Sequence, residues 1–277
     1  MTARDVHAIR LWFSAFVKEY MRGDSDLRRN MRLKESHTKR VCQEALAIGR
    51  ALKLSAEQLR MIEVIVLLHD VGRFEQYTRH RTFSDAQSEN HAKLTLAILR
   101  ARHVLDRFDA HTRSIIRRAI AYHNLAAIPP GVRDQNVLLF SRLMRDADKL
   151  DIWRVVIHYY YARADQKNHA VAIGLPDTPG ISPEVLADVC AERIVLSKHV
   201  RNLNDFKLLQ MGWVFDVNFV PTLKAVQRRK YLERIRAKLP NIPQVDEAFA
   251  AIGDVMQRRI AAAGRGKSTS LASTRAS

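Results

Sequence analysis

Residues 67–77 read LLHDVGRFEQY and close the apolar run VIVLLH at 64–69. The run has the character of a buried helix, yet its inner end carries His69 and Asp70 side by side. An ionised carboxylate in apolar surroundings is very costly unless it is paired or coordinates a metal, so Asp70 demands a cation. Working outward, apolar residues recur at three- and four-residue spacing, as in Val6, Ile9, Phe13, Phe16, Val17 and Tyr20 and again in Leu94, Ile98 and Leu105. That period predicts an all-α chain. Beyond the first helix, others are expected over about 35–52, 56–70, 88–104, 111–124, 136–164, 182–200, 217–238 and 243–262. Ser55 with Gln58 has the form of a capping box at the start of the second of these.

The chain has 277 residues, of which 47% are hydrophobic, enough to bury a large core. Its two cysteines, Cys42 and Cys190, stand far apart, which argues against a disulfide framework and fits a reducing cytoplasm. The run from Leu11 to Val17 is short, flanked by charge and followed by no small-residue cleavage site, so it reads as a core helix rather than a leader. No apolar run approaches the roughly 20 residues of a membrane span, and a soluble protein without a membrane partner is expected. The formal net charge of +17 suggests an anionic partner. The basic residues are spread over most helices without aromatic interleaving or a C-x-x-C module, so non-specific nucleic-acid binding stays a secondary reading. The segment GLPDTPGISP, 174–183, is a connecting loop by its Pro and Gly content, and from 261 onward the chain loses its large apolar residues. The expected division is an N-terminal helix (1–29), a core domain (30–165), a C-terminal helical extension (166–260) and a disordered basic tail (261–277). The sequence leaves the oligomeric state open.

Potential metal ligands are His37 in ESHTKRV, His69-Asp70, His91 in SENHAKL, His123 in AYHN, and Asp146, Asp148 and Asp151 in RDADKLD. Asp148 interrupts an apolar helical pattern as Asp70 does. Asp151 lies one turn further on the same face and is open between a role behind a ligand and a salt bridge. Asp146 points elsewhere and reads as a solvated or salt-bridged residue, with Arg145 and Lys149 as partners.

The ordered set of His37, then His69-Asp70, then Asp148 within A-D-x-L resembles the HD-domain superfamily of metal-dependent phosphohydrolases. The similarity covers roughly residues 30–165, and HDVGRFEQY, FSDA, SENHA and RDADKLD resemble a bacterial branch of it. The resemblance implies an HD-domain helical bundle with additional C-terminal helices. It also implies a first metal held by His37, His69, Asp70 and Asp148, and a second held by His91 and His123 with Asp70 bridging. The chain departs from the cyclic-dinucleotide phosphodiesterase branch, lacking Gly-Tyr-Pro and carrying Asn124 where that branch has a second histidine. It also lacks the extended motif of the deoxynucleotide triphosphohydrolases.

Mixed histidine and carboxylate ligation suits two divalent transition-metal ions, Mn, Fe, Co or Ni, with Mg or Zn as further candidates. Such ions activate water at phosphorus without a protein nucleophile, in keeping with the absence of a G-x-S-x-G or P-loop pattern. Arg73 and Lys149 are the expected substrate clamp, a salt bridge to Glu75 or Asp146 being the alternative for each. The loop QYTRHRTFSDAQSE, 76–89, could cover a nucleotide base or sugar. The leading expectation is therefore a metal-dependent phosphohydrolase in which metal-activated water cleaves a phosphate ester of a small anionic substrate, a nucleotide. Alternatives are a phosphodiesterase acting on a cyclic or linear nucleotide, and a catalytically silent HD module that binds nucleic acid.

Overall fold

The computed structural model describes residues 1–273, with side chains to residue 263. The described residues are helical, with no strand. They form two compact units, Met1–Gly174 and Leu175–Ser277, divided within the Pro- and Gly-rich segment.

The first unit contains α1 (Ala3–Tyr20), α2 (Ser25–Ala51), α3 (Ala56–His69), α4 (Gly72–His80), α5 (His91–Ala101), α6 (Ala110–Tyr122) and α7 (Gln135–Tyr161). Every residue of α3 from Met61 to His69 is buried, and the helix packs against α1, α2, α5, α6 and α7. Its start is fixed by the expected capping box, in which Ser55 and Gln58 each accept the other's backbone N–H. Asp24, Asn90, Asp109 and Asp134 cap α2, α5, α6 and α7 in the same way, each side chain accepting from a backbone N–H of the first turn. Helices α2 and α7 run along one another and carry His37 and Asp148.

Close backbone approach sets the turn after His69-Asp70. A Cβ on Gly72 would lie 2.4 Å from the His91 carbonyl oxygen and 2.7 Å from the Thr95 nitrogen. The Gly72 N–H donates to Thr95 Oγ1 at 2.9 Å, and that hydroxyl donates to the His69 carbonyl at 3.0 Å. The turn that follows α3 is thereby fastened to the start of α5, which begins with His91.

The second unit contains α8 (Pro183–Cys190), α9 (Leu203–Gly212), α10 (Val220–Arg228), α11 (Tyr231–Arg236) and α12 (Pro243–Ser273). Helix α12 packs on α8, α9, α10 and α11, burying Val245, Ala248, Ile252 and Met256. Several expected boundaries change. The helix expected over 182–200 ends at Cys190, beyond which Glu192 adopts a left-handed φ of 54°. The one expected over 217–238 is two helices, separated at Lys230 with φ 53°. Helix α2 begins ten residues earlier than the 35 expected, and α4 and α9 occupy segments for which no helix was expected. Helix α12 enters the segment expected as a disordered tail, most of which lies outside the residues with described side chains, and 274–277 lie outside the described residues altogether.

Candidate metal centre

Six side chains from five places in the first unit converge. His37 comes from α2, His69 from the last position of α3, Asp70 from its C-cap, His91 from the start of α5, His123 from the C-cap of α6 and Asp148 from α7. Ligand-type atoms lie within 4.8 Å of one another in three groups, His37/His69/Asp70, His69/His123/Asp148 and Asp70/His91/His123. Asp70 faces both sides. Its Oδ2 is 3.7 Å from Nε2 of both His37 and His69, and its Oδ1 is 3.5 Å from His91 Nε2 and 3.9 Å from His123 Nε2.

Each histidine is oriented by a partner on Nδ1. His69 and His123 lie 2.7 and 2.6 Å from the carbonyl oxygens of Val66 and Ile120, which only accept, so Nδ1 bears the proton and Nε2 a lone pair. His37 Nδ1 contacts Asp151 Oδ2 at 2.8 Å, and His91 Nδ1 contacts Asp85 at 2.7 and 2.8 Å, which imposes the same tautomer on the neutral rings. The consequence is a set of facing lone pairs. His91 Nε2 and His123 Nε2 are 2.9 Å apart, and His37 Nε2 is 3.1 Å from Asp148 Oδ1. The buried atoms His37 Nε2, His69 Nε2 and Asp148 Oδ1 have no hydrogen-bond partner. Lone pairs aimed at lone pairs require a cation between them, and nitrogen and carboxylate oxygen donors are those a divalent transition metal takes. The donor set therefore fits a metal.

Electrostatics point the same way at His91, His123, Asp70 and Asp148, and the opposite way at His37. Burial pulls His91 and His123 down to about 4, with Arg73 adding to the effect at His91 and His69 at His123. Burial opposes ionisation of Asp70, but Lys34, the surrounding histidines and Arg73 outweigh it and hold the carboxyl well below its ordinary value. Asp148 is also held low, its burial offset by His37 and His69. At His37, burial and Lys34 disfavour the charged ring, while the contacts with Asp148 and Asp151 prevail and raise its pKa.

Around the six lies a further layer, in which the sequence points to a role behind the ligands for Asp151 alone. Asp151 is both alternatives at once, contacting His37 and accepting from Arg40 Nε at 2.5 Å and NH2 at 2.9 Å. Asp85 accepts from Arg73, Gln76 and Asn124 as well as facing His91. Lys34, three residues before His37 on α2, donates to Asp70 Oδ2 at 2.8 Å. Arg145 donates to the carbonyls of Tyr122, His123, Leu125 and Ala126, satisfying the C-terminal end of α6 where His123 sits.

Arg73 lies beside the centre, its Nε 3.6 Å from Asp70 Oδ1, while its NH1 donates to Gln76, Asp85 and the Phe83 carbonyl. Glu75, its expected alternative partner, instead accepts from Tyr20 and Arg79. Lys149 is buried on α7, one residue past Asp148. Asp146 is fully buried, which removes the solvated alternative of its reading and leaves the salt-bridged one. The segment 76–89 is helical to His80, and its remainder is tied down by Arg73 and Gln76.

An all-α unit with a buried histidine–aspartate cluster defines the class, and residues 35–153 match the family model described as HD domain. That segment is similar to the HD domain, and it holds the adjacent histidine–aspartate pair His69-Asp70. No curated protein and no solved structure matches the chain. Among the described residues, no helix is long and apolar enough to cross a membrane.

Proposed function

We propose that the protein is a metal-dependent phosphohydrolase that cleaves a phosphate ester, a nucleotide being the favoured substrate, with two divalent transition-metal ions. The observation that carries this reading is the opposed lone pairs on both sides of Asp70: His37 and Asp148 on one, His91 and His123 on the other. His37, His69, Asp70 and Asp148 would hold the first ion, and Asp70, His91 and His123 the second. Ions held there would acidify water and neutralise charge at a phosphoryl group.

The chain's own residues supply position and charge. Asp151 and Asp85 fix the rings of His37 and His91 so that Nε2 faces inward, and the Val66 and Ile120 carbonyls do so for His69 and His123. Arg73 and Lys149 are proposed to attract and orient the anionic substrate. Burial keeps bulk water from the ligand atoms and strengthens the field of these cations.

The test is a screen of nucleotides, cyclic and linear dinucleotides and simple phosphate esters with the protein loaded in turn with Mn, Fe, Co, Ni, Zn and Mg. Hydrolysis of a phosphate ester that disappears in Asp70→Ala supports the reading. Loading to full occupancy with no hydrolysis of any phosphate ester would favour a silent HD module instead.

A further inference from the structure

The geometry points to Lys34 as the residue that grips the phosphoryl group of the substrate, an inference that rests on the phosphohydrolase reading and adds to it a specificity-determining residue. Five of the six candidate ligand side chains are at most 5% exposed, whereas Lys34, Arg73 and Asp148 are 15, 15 and 16% exposed. Solvent, and hence a substrate, reaches the cluster where these three side chains stand.

The two cations at that opening are differently committed. Arg73 spends Nη1 on Gln76, the Phe83 carbonyl and Asp85, which fastens the segment before α5 and fixes the guanidinium in place, so it contributes a stationary charge while its buried Nε, 3.6 Å from Asp70 Oδ1, has no hydrogen-bond partner. Lys34 makes one hydrogen bond, to Asp70 Oδ2, and its ammonium lies 5.1 Å from the centre of the Phe83 ring. An ammonium has three N–H donors, so two remain for another acceptor. The ring limits how far the long side chain can swing while its polar end stays hydrated from the opening. Asp70 Oδ2 is also the oxygen that faces His37 and His69. A metal taking that oxygen would share its negative charge and loosen its hold on Lys34, placing a cation with spare donors next to the position a phosphoryl oxygen would occupy. Lys34 sits three residues before His37, on the same side of α2, so the helix that supplies a ligand also sets the position of this cation.

The experiment measures binding of inorganic phosphate by calorimetry to the Mn-loaded full chain, as wild type, Lys34→Gln and Lys34→Arg, with elemental analysis and circular dichroism on each. Loss of a charge-assisted hydrogen bond predicts phosphate affinity weaker by about ten- to a hundredfold in Lys34→Gln at unchanged metal content, and recovered to within about tenfold of wild type in Lys34→Arg. For a substrate found in the screen, KM should rise with the same order of variants. Equal phosphate affinity in wild type and Lys34→Gln would overturn the role of Lys34 while leaving the phosphohydrolase reading intact. Metal lost from both variants would make Lys34 a counter-charge that positions Asp70, and would equally overturn it. Failure of metal-loaded wild type to bind phosphate or hydrolyse any ester would overturn both.

Discussion

His37 Nδ1 and Asp151 Oδ2 stand 2.8 Å apart, and Arg40 donates to both oxygens of the same carboxylate. One helical turn of α7 separates Asp151 from Asp148, so a single face of that helix touches both nitrogens of the His37 ring, Asp148 at Nε2 and Asp151 at Nδ1. Replacing Asp151 with Asn keeps the shape of the side chain and removes the charge that fixes the ring. Metal affinity should fall about 10- to 100-fold, read by titrating the metal-free protein with Mn.

Asp85 performs the corresponding task for His91, whose Nδ1 lies 2.7 and 2.8 Å from its two oxygens. The effect of Asp85→Asn should be confined to the His91/His123 side. Elemental analysis is expected to find about one ion lost per chain, with the ion on the His37 side retained.

These two predictions also mark how far the sequence could be read. His69, Asp70 and Asp148 stand out because each is polar within an apolar helical run, and the run VIVLLH is the buried α3. Asp85 lies in irregular chain, where no period shows which way a side chain faces. Lys34 and Arg40 each lie one turn from His37 on α2, but a basic residue on a polar helix ordinarily faces water, and only the packing of α3 and α7 against α2 gives these two acidic partners. Helix α4 was obscured because its nine residues bury only Phe74 and Tyr77 as large apolar groups, and the break at Lys230 because nothing in its side chain announces a left-handed backbone.

Gly72 offers a test of the turn that positions Asp70 and His91. In Gly72→Ala the added Cβ meets the His91 carbonyl oxygen and the Thr95 nitrogen at 2.4 and 2.7 Å, and these are backbone atoms that cannot swing aside. Destabilisation of roughly 1–3 kcal/mol is expected from chemical denaturation, accompanied by weaker metal binding on the His91 side.

Acid should act on the metal-free protein through His91 and His123. Both are lowered from the ordinary 6.5 to about 4, by burial first and then by Arg73 at His91 and by His69 at His123. Below pH 6.5 the unfolded chain takes up protons that these two folded histidines refuse, so their contribution to stability is present above that pH and is lost as pH falls toward 4. His37 is shifted in the opposite direction and contributes with the opposite sign. The measurement is the midpoint of thermal unfolding against pH in chelator, for wild type and His123→Gln. The decline between pH 6.5 and 4 should be shallower in the variant, whereas an identical slope would contradict the burial of a neutral His123.

The central claim is that Asp70 would help hold two metal ions, one with His37, His69 and Asp148 and one with His91 and His123. Elemental analysis of the Mn-loaded full chain measures it directly, for wild type, Asp70→Ala and the double variant His91→Ala/His123→Ala. About two ions per chain in wild type, about one in the double variant and close to none in Asp70→Ala is the predicted outcome. A wild-type ratio near one that the double variant leaves unchanged, or a ratio in Asp70→Ala equal to wild type, would contradict it.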